Sequence, residues 1–127
     1  MTMIQTIFNW ITAFSGFGGK QFRLDKLEAH SQAASVLCKG EEILSQSRDI
    51  LGNLKQRKRL TLLVRVRGID AQTLLDFARW AEDTAPVLGE NQTLSIQQGS
   101  LYTSNPGAPG VYQCRVTLEY TNSNEVN

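Results

Sequence analysis

The sequence predicts an α+β protein: a small, mainly antiparallel sheet with a central amphipathic helix packed on it, and a second helix at the N-terminus. Three observations predict this. Residues 59–67 read Arg-Leu-Thr-Leu-Leu-Val-Arg-Val-Arg, so Leu60, Leu62, Val64 and Val66 share one face while Thr61, Leu63, Arg65 and Arg67 share the other. Side chains alternate across a strand, and such a pattern marks one with a buried side. Directly after it, Ala71, Leu74, Leu75, Ala78 and Ala81 recur at helical spacing, with Phe77 and Trp80 on the shoulders of the stripe. Third, residues 111–120 alternate cleanly: Tyr112, Cys114, Val116, Leu118 and Tyr120 face one way, and Val111, Gln113, Arg115, Thr117 and Glu119 the other. A strand and a helix that each have one apolar side must bury those sides against each other.

The central helix has clear limits. Gly68 ends the preceding strand, Asp70 caps a helix over residues 71–83 by accepting from its first free amides, and Pro86 stops it. Upstream, Ile4, Ile7, Phe8, Ile11 and Phe14 lie on one face of a helix beginning after a Thr2 cap, with Gln5, Thr6, Asn9 and Thr12 between them. This stretch lacks the basic start and the cleavage site of a signal peptide. Its polar face has no lysine, which a membrane-surface helix would use. It is expected to dock on the domain or on a partner. Residues 15–19, Ser-Gly-Phe-Gly-Gly, follow a helix rather than a strand and lack a Gly-Lys-Ser/Thr ending, so they read as a flexible turn and not a phosphate loop.

The connections are less regular. Phe22 and Leu24 alternate with charged neighbours in a strand over residues 21–27. Residues 34–38 suit a short strand that turns at Lys39-Gly40. Residues 41–51 fit helix and strand about equally, and Gly52-Asn53 before the strong strand tips the reading towards an extended hairpin. After the central helix, Leu94 and Ile96 alternate within a strand over residues 92–102, where Gly99 suggests a bulge. Residues 104–110 contain two prolines and form a rigid polar loop, and residues 121–127 read as a loose tail.

Length and composition favour one domain over residues 1–127, with the N-terminal helix in residues 1–15. Thirteen Lys and Arg against twelve Asp and Glu leave a net charge of +1, which gives no general argument for nucleic acid or membrane partners. Cys38 and Cys114 are too far apart for a metal or redox motif and read as small apolar residues. His30, the one histidine, has no ligand spacing around it. Glu41 and Glu42 are adjacent and would point to opposite faces of a strand, so they make no carboxylate pair. No serine sits in a nucleophile elbow. The expectation is a non-enzyme with no catalytic residue, no cofactor and no metal.

Lys55, Arg57, Lys58 and Arg59 form one basic cluster, which Arg65 and Arg67 extend along the strand. Two readings are open: a solvated or subunit-facing strand entry, and a strip that meets a nucleic-acid backbone, which needs charge but no base code. No aromatic residue interleaves with it, as a single-strand platform would require.

The element order resembles the tail-terminator and minor capsid (tail completion) proteins of tailed bacteriophages, including those of phage-tail-like particles. Two stretches carry the resemblance: Thr61-Leu62-Leu63-Val64-Arg65-Val66 with the helix around residues 74–80, and Ser100-Leu101-Tyr102 followed by residues 110–120, which end in Leu-Glu-Tyr. The resemblance implies a structural virion protein located in the tail and assembled in the host cytoplasm. It would cap the tail tube as a homo-oligomeric ring, six subunits being usual, end tube polymerisation and present the surface for head or neck joining. Its partners would be the tail tube protein, a head or neck joining protein and, without base readout, passing DNA; no membrane is implied. The physical candidates for subunit or partner contacts are Ile4, Ile7, Phe8 and Ile11 on the N-terminal helix and Asn105, Pro106 and Pro109 in the loop. Two other classes share the layout. A small α+β ligand-binding or regulatory module would show a pocket lined by Trp80, Tyr102 or Tyr112, and an oligomeric enzyme would share its sites between subunits.

Overall fold

The computed structural model describes residues 2–28, 30–99 and 110–124. The chain is α+β at the level of a mixed five-stranded sheet with two α-helices. In chain order the elements are α1 (Met3–Thr12), a 3₁₀ turn (Ser15–Phe17), β1 (Gln21–Leu24), β2 (Ala33–Arg48), β3 (Leu54–Arg67), α2 (Ala71–Thr84), β4 (Glu90–Gln98) and β5 (Val111–Asn124). The sheet order is β1-β2-β3-β5-β4; β1 runs parallel to β2 and the other three pairings are antiparallel.

The alternation expected in β3 and β5 holds. Leu60, Leu62, Val64 and Val66 are buried with Cys114, Val116, Leu118 and Tyr120. These residues share one sheet face with Ala34 and Val36, and both helices cover that face. α1 starts at its Thr2 cap, whose Oγ1 accepts from Gln5 N at 3.1 Å, and α2 starts at Asp70, whose Oδ1 accepts from Thr73 N at 2.9 Å. Each cap satisfies one of the amides that a first turn leaves without a helical partner.

The helices are turned differently from the sequence reading. On α2 the buried residues are Leu74, Phe77 and Ala81, while Leu75 is 43% exposed and Ala71 is exposed. On α1, Ile7, Trp10 and Ile11 are buried and Ile4 is exposed. An aromatic cluster sets both rotations. Trp10 stacks on Trp80 with centroids 6.3 Å apart and donates from Nε1 to Thr84 Oγ1 at 3.0 Å. Phe14 meets Phe17, Phe77 and Trp80 at 4.9, 5.6 and 5.3 Å. Large rings contribute more buried area than leucine, so they win the inward positions.

Other expectations are corrected. The glycine-rich segment is a packed corner rather than a flexible turn, because Phe17 is buried against Phe22 and Phe77. β2 does not turn at Lys39-Gly40. It bulges there, with Gly40 at φ +111° and a register shift between Cys38 and Gly40, and then continues to Arg48. A bulge bends a strand without ending its pairing. The hairpin at Gly52-Asn53 is present, with Gly52 at φ +87°. The shift in β4 falls between Glu90 and Thr93; Gly99 follows the strand and its N–H donates to Gln113 O at 2.7 Å. The last strand runs on through Asn124, pairing with Leu54, so residues 121–124 are not a loose tail.

Arg67 is the sharpest correction. Its position puts it on the face away from the helices, yet it is 1% exposed. Its Nε donates to Glu28 O at 2.6 Å, and Lys20 Nζ donates to Arg67 O at 2.7 Å and to Ser31 O at 3.1 Å. The connection between parallel β1 and β2 must return across one face of the sheet, and the Arg67–Glu28 bond places it on this one. Partial burial also holds the Lys20 ammonium below its ordinary pKa.

Candidate functional site

The register of the strands determines where each basic residue goes. β3 residues of odd number lie on the face away from the helices, and even-numbered ones on the helix side. Lys58 therefore leaves the strip. It pairs with Glu41 Oε1 at 3.2 Å on the helix side, where Tyr120 Oη also donates to the Glu41 carboxylate. Burial, and then the bond and charge of Glu41, push the Tyr120 phenol upward. Arg59 stays on the open face, between Glu42 Oε1 at 3.1 Å and Glu119 Oε1 at 3.7 Å. These three residues are neighbours in register across β2, β3 and β5. Arg57 Nη1 donates to Asn91 O at 2.8 Å and Thr121 Oγ1 at 3.3 Å, and Arg65 Nε donates to Ser35 Oγ at 2.9 Å.

The continuous basic strip expected from the sequence is thus broken up. Lys58 faces the other way, Arg67 is buried, and Arg59 is offset by two carboxylates. The acids responsible lie on strands distant in sequence. What remains is a mostly polar sheet face that carries Lys39, Lys55, Arg57, Arg59, Arg65 and Arg115 beside Glu42, Glu90 and Glu119. Arg115, which the basic cluster did not include, lies near the middle of this face. It lines three open depressions, together with Gln97, Gln98 and Gln113, with Lys39, Glu42 and Thr61, and with Arg59, Ser95, Thr117 and Glu119. Its signal in the sequence was the outward parity of β5, without any run of like charge.

The second feature is an arm. β1 pairs with β2 only as far as Val36, and from Lys39 onward β2 is exposed on both sides. The β2–β3 hairpin extends beyond the helix cover while β3 stays paired with β5 as far as Leu54, and it carries Ile43 54%, Ile50 100% and Leu51 79% exposed. Its tip is closed by hydrogen bonds. Asp49 Oδ1 accepts from Leu51 N and Asn53 N, and Oδ2 from Asn53 Nδ2, each at 2.9 Å. Asp49 N donates to Asn53 O and Gly52 N to Asp49 O, both at 3.0 Å. The bonds from Asn53 hold the Asp49 carboxyl below its ordinary pKa.

The candidate contacts divide. Ile7 and Ile11 belong to the chain's own core and are closed to a partner, because the helix uses its apolar face internally. Phe8 is half-buried and packs on that core, and Ile4 is exposed. Asn105, Pro106 and Pro109 lie outside the described residues, as does Tyr102. Trp80 is taken up by its stack on Trp10, Tyr112 packs at the margin of the core, and neither lines one of the open depressions. His30 is exposed, with Nε2 3.1 Å from Glu28 Oε2. Both cysteines are free thiols; Cys114 is buried, which pushes its pKa up to about 12. Among the described residues no group of three or more His, Cys, Asp or Glu is placed to hold a metal ion, and no helix is long and apolar enough to cross a membrane. No family model matches the chain, and no curated protein matches it.

Proposed function

We propose that this chain is a structural virion protein that caps a phage-type tail tube as an oligomeric ring, ends tube growth and offers a joining surface to the head or neck. The observation that carries the reading is the division of the sheet. One face and the core are closed by the helices, while the other face is covered only at its Arg67 end, and among the described residues the rest of it, the arm and the outer edge of β4 are left open. That is the layout of an assembly part. The two stretches that resemble terminator and minor capsid proteins supply β3 and β5, which pair along their whole length at the centre of the sheet. In this reading the mainly antiparallel sheet, with α2 as the central packed helix, is the scaffold of each subunit.

A closed ring uses one head-to-tail interface repeated by rotation. Its helix-covered side is the bulkier and suits the larger outer circumference, which turns the polar face inward. Arg57, Arg59 and Arg115 would then meet passing DNA through phosphates alone. Ion pairs with Glu42 and Glu119 keep that attraction weak, which suits a channel through which DNA must move.

Light scattering on the purified protein, with negative-stain imaging of the protein and of tails, tests the proposal. The expected result is a ring, six subunits being the first expectation, and the protein located at the end of the tube. A uniform monomer never found at a tail end overturns it and favours the ligand-binding or regulatory module instead.

A further inference from the structure

We infer that copies of this chain join edge to edge, β4 of one pairing antiparallel with the free edge of β2 in the next. The inference deepens the proposed ring and rests on that reading for closure.

The first observation is that both partner edges are unpaired. β4 is a terminal strand of the sheet, and no described residue pairs with its outer edge. Residues 91–98, Asn-Gln-Thr-Leu-Ser-Ile-Gln-Gln, contain no charge and no proline. Proteins usually guard an open edge with lysine, proline or a bulge, since a bare one templates pairing with another chain. Between Thr93 and Gln98 the strand has none of these. On the other side, β1 stops at Leu24, Asp25 N donates to Val36 O, and Asp25 Oδ1 accepts from Cys38 N at 3.3 Å. Beyond Cys38, no described residue pairs with the outer edge of β2.

The second observation is direction. The pairings of β2 with β3, β3 with β5 and β5 with β4 are all antiparallel, so β2 and β4 run in opposite senses. A neighbour generated by rotation about an axis along the strands keeps its β2 in the original sense. It therefore presents β2 antiparallel to β4, with the helix layers of both copies on the same side.

The third is height. Thr93 is in register with Glu119, Glu119 with Arg59, and Arg59 with Glu42. Leu94 leads in the same way through Leu118 and Leu60 to Glu41. Thr93 to Ser95 are level with the free edge of β2 at Gly40 to Glu42, whereas Ile96 to Gln98 are level with Cys38 to Val36, which β1 and Asp25 already hold. Pairing the whole bare edge therefore requires a stagger towards the arm, of the kind that closing a sheet involves. In the joined sheet Ile43 of the neighbour lies on the same face as Leu94 and Ile96, so an aliphatic side chain exposed in the single chain gains apolar company.

Mixed cross-linking tests this. Thr93→Cys is prepared in one batch and Glu42→Cys or Ser45→Cys in another; all three positions are exposed, and the parent chain controls for Cys114. A short bifunctional thiol reagent is expected to yield a dimer only from the mixture. A chain carrying both substitutions is expected to give a ladder that ends at the closed ring. Cys38 is half-exposed at the start of the free β2 edge, so Cys38→Ser is built into every chain; a dimer from Thr93→Cys alone then means β4 pairs with its own copy and overturns the inference. A ring by light scattering without mixed cross-links overturns edge pairing and leaves the ring reading standing. Mixed cross-links with an open-ended mass distribution support edge pairing and overturn the ring. A monomer without cross-links overturns both.

Discussion

β2 and β3 each pass through two environments, and the two differ in outcome although the strands do not. In the covered half, Ala34 and Val36 of β2 and Leu60, Leu62, Val64 and Val66 of β3 lie under the helices and are buried. In the arm the same two strands stay paired as far as Arg48 and Leu54, with a register shift between Ile43 and Ser45, yet Ile43, Leu44, Ile50 and Leu51 face solvent. Alternation makes a strand; cover makes a core. In the arm β2, β3 and β5 are paired, but with neither face covered these rows bury little apolar surface and add little stability of their own. The arm is therefore held by local bonds, chiefly those between Asp49 and Asn53 at its tip and the pairing of β5 with its β3 side.

The strongest way to test this contrast is through the covered half. Phe77 is fully buried and touches Phe14, Phe17 and Trp80, so it joins α1, the glycine-rich corner and α2. Phe77→Ala should cost about 3–5 kcal/mol in denaturant unfolding, as buried aromatic truncations do. Ile43→Ala in the arm should stay within about 0.5 kcal/mol, the range of surface changes. Comparable costs for the two would show that the arm is packed in solution.

A finer contrast lies within one helix. Leu74 and Leu75 are adjacent, one buried and the other 43% exposed. Leu74→Ala should cost about 2–5 kcal/mol and Leu75→Ala no more than about 0.5 kcal/mol. The opposite order of unfolding midpoints would return α2 to the rotation read from its leucine and alanine stripe.

Alkaline pH should act on the covered half first, through its buried thiol. Burial raises the Cys114 thiol from 9.0 to about 12. Between those values the unfolded chain loses its proton first, so the contribution is complete below pH 9 and is lost as pH rises towards the folded value. Stability should fall there by at most about 1.4 kcal/mol per pH unit from this group. Tyr120, also raised, adds to the loss above about pH 10, the ordinary tyrosine value. Cys114→Ala should flatten the first part of the slope in a series of unfolding curves. An unchanged slope would show that the thiol is hydrated in the folded chain.

These contrasts show what the sequence could and could not disclose. The inward set of β3 and β5, both helix caps and the hairpin turn were legible because each is encoded within a few residues. The spacing of Ile7, Trp10, Ile11 and Phe14 also held the true stripe of α1, but an isolated helix does not say which of two overlapping stripes faces inward. That choice depends on Phe17, Phe77 and Trp80, remote in sequence. The same remoteness hid the candidate site. A run of lysine and arginine shows charge, while Glu41, Glu42 and Glu119 reach it only through strand register. Arg67 alternates outward, and the return of the chain through Glu28 covers it. Arg115 stood alone in the sequence and became prominent only when the face assembled around it.

The smallest expected effect bears most directly on the arm. Ile50 and Leu51 are the most exposed large aliphatic residues of the covalent turn, at 100% and 79%. Neither side chain is needed for the turn, whose bonds run between Asp49, Asn53 and backbone groups. Ile50→Ser with Leu51→Ser should therefore shift stability by no more than about 0.5 kcal/mol per site in dilute protein. The informative variable is concentration. A folded state that is also an assembled one gains stability as protein concentration rises, because mass action favours whatever binds the folded form. If the parent unfolds at a midpoint that rises with concentration and the double variant does not, the tip is covered by a neighbouring copy. If neither midpoint responds, the tip is free in the protein by itself. If the variant loses stability at every concentration alike, the tip packs within its own chain, and the division into a covered half and an open arm is wrong.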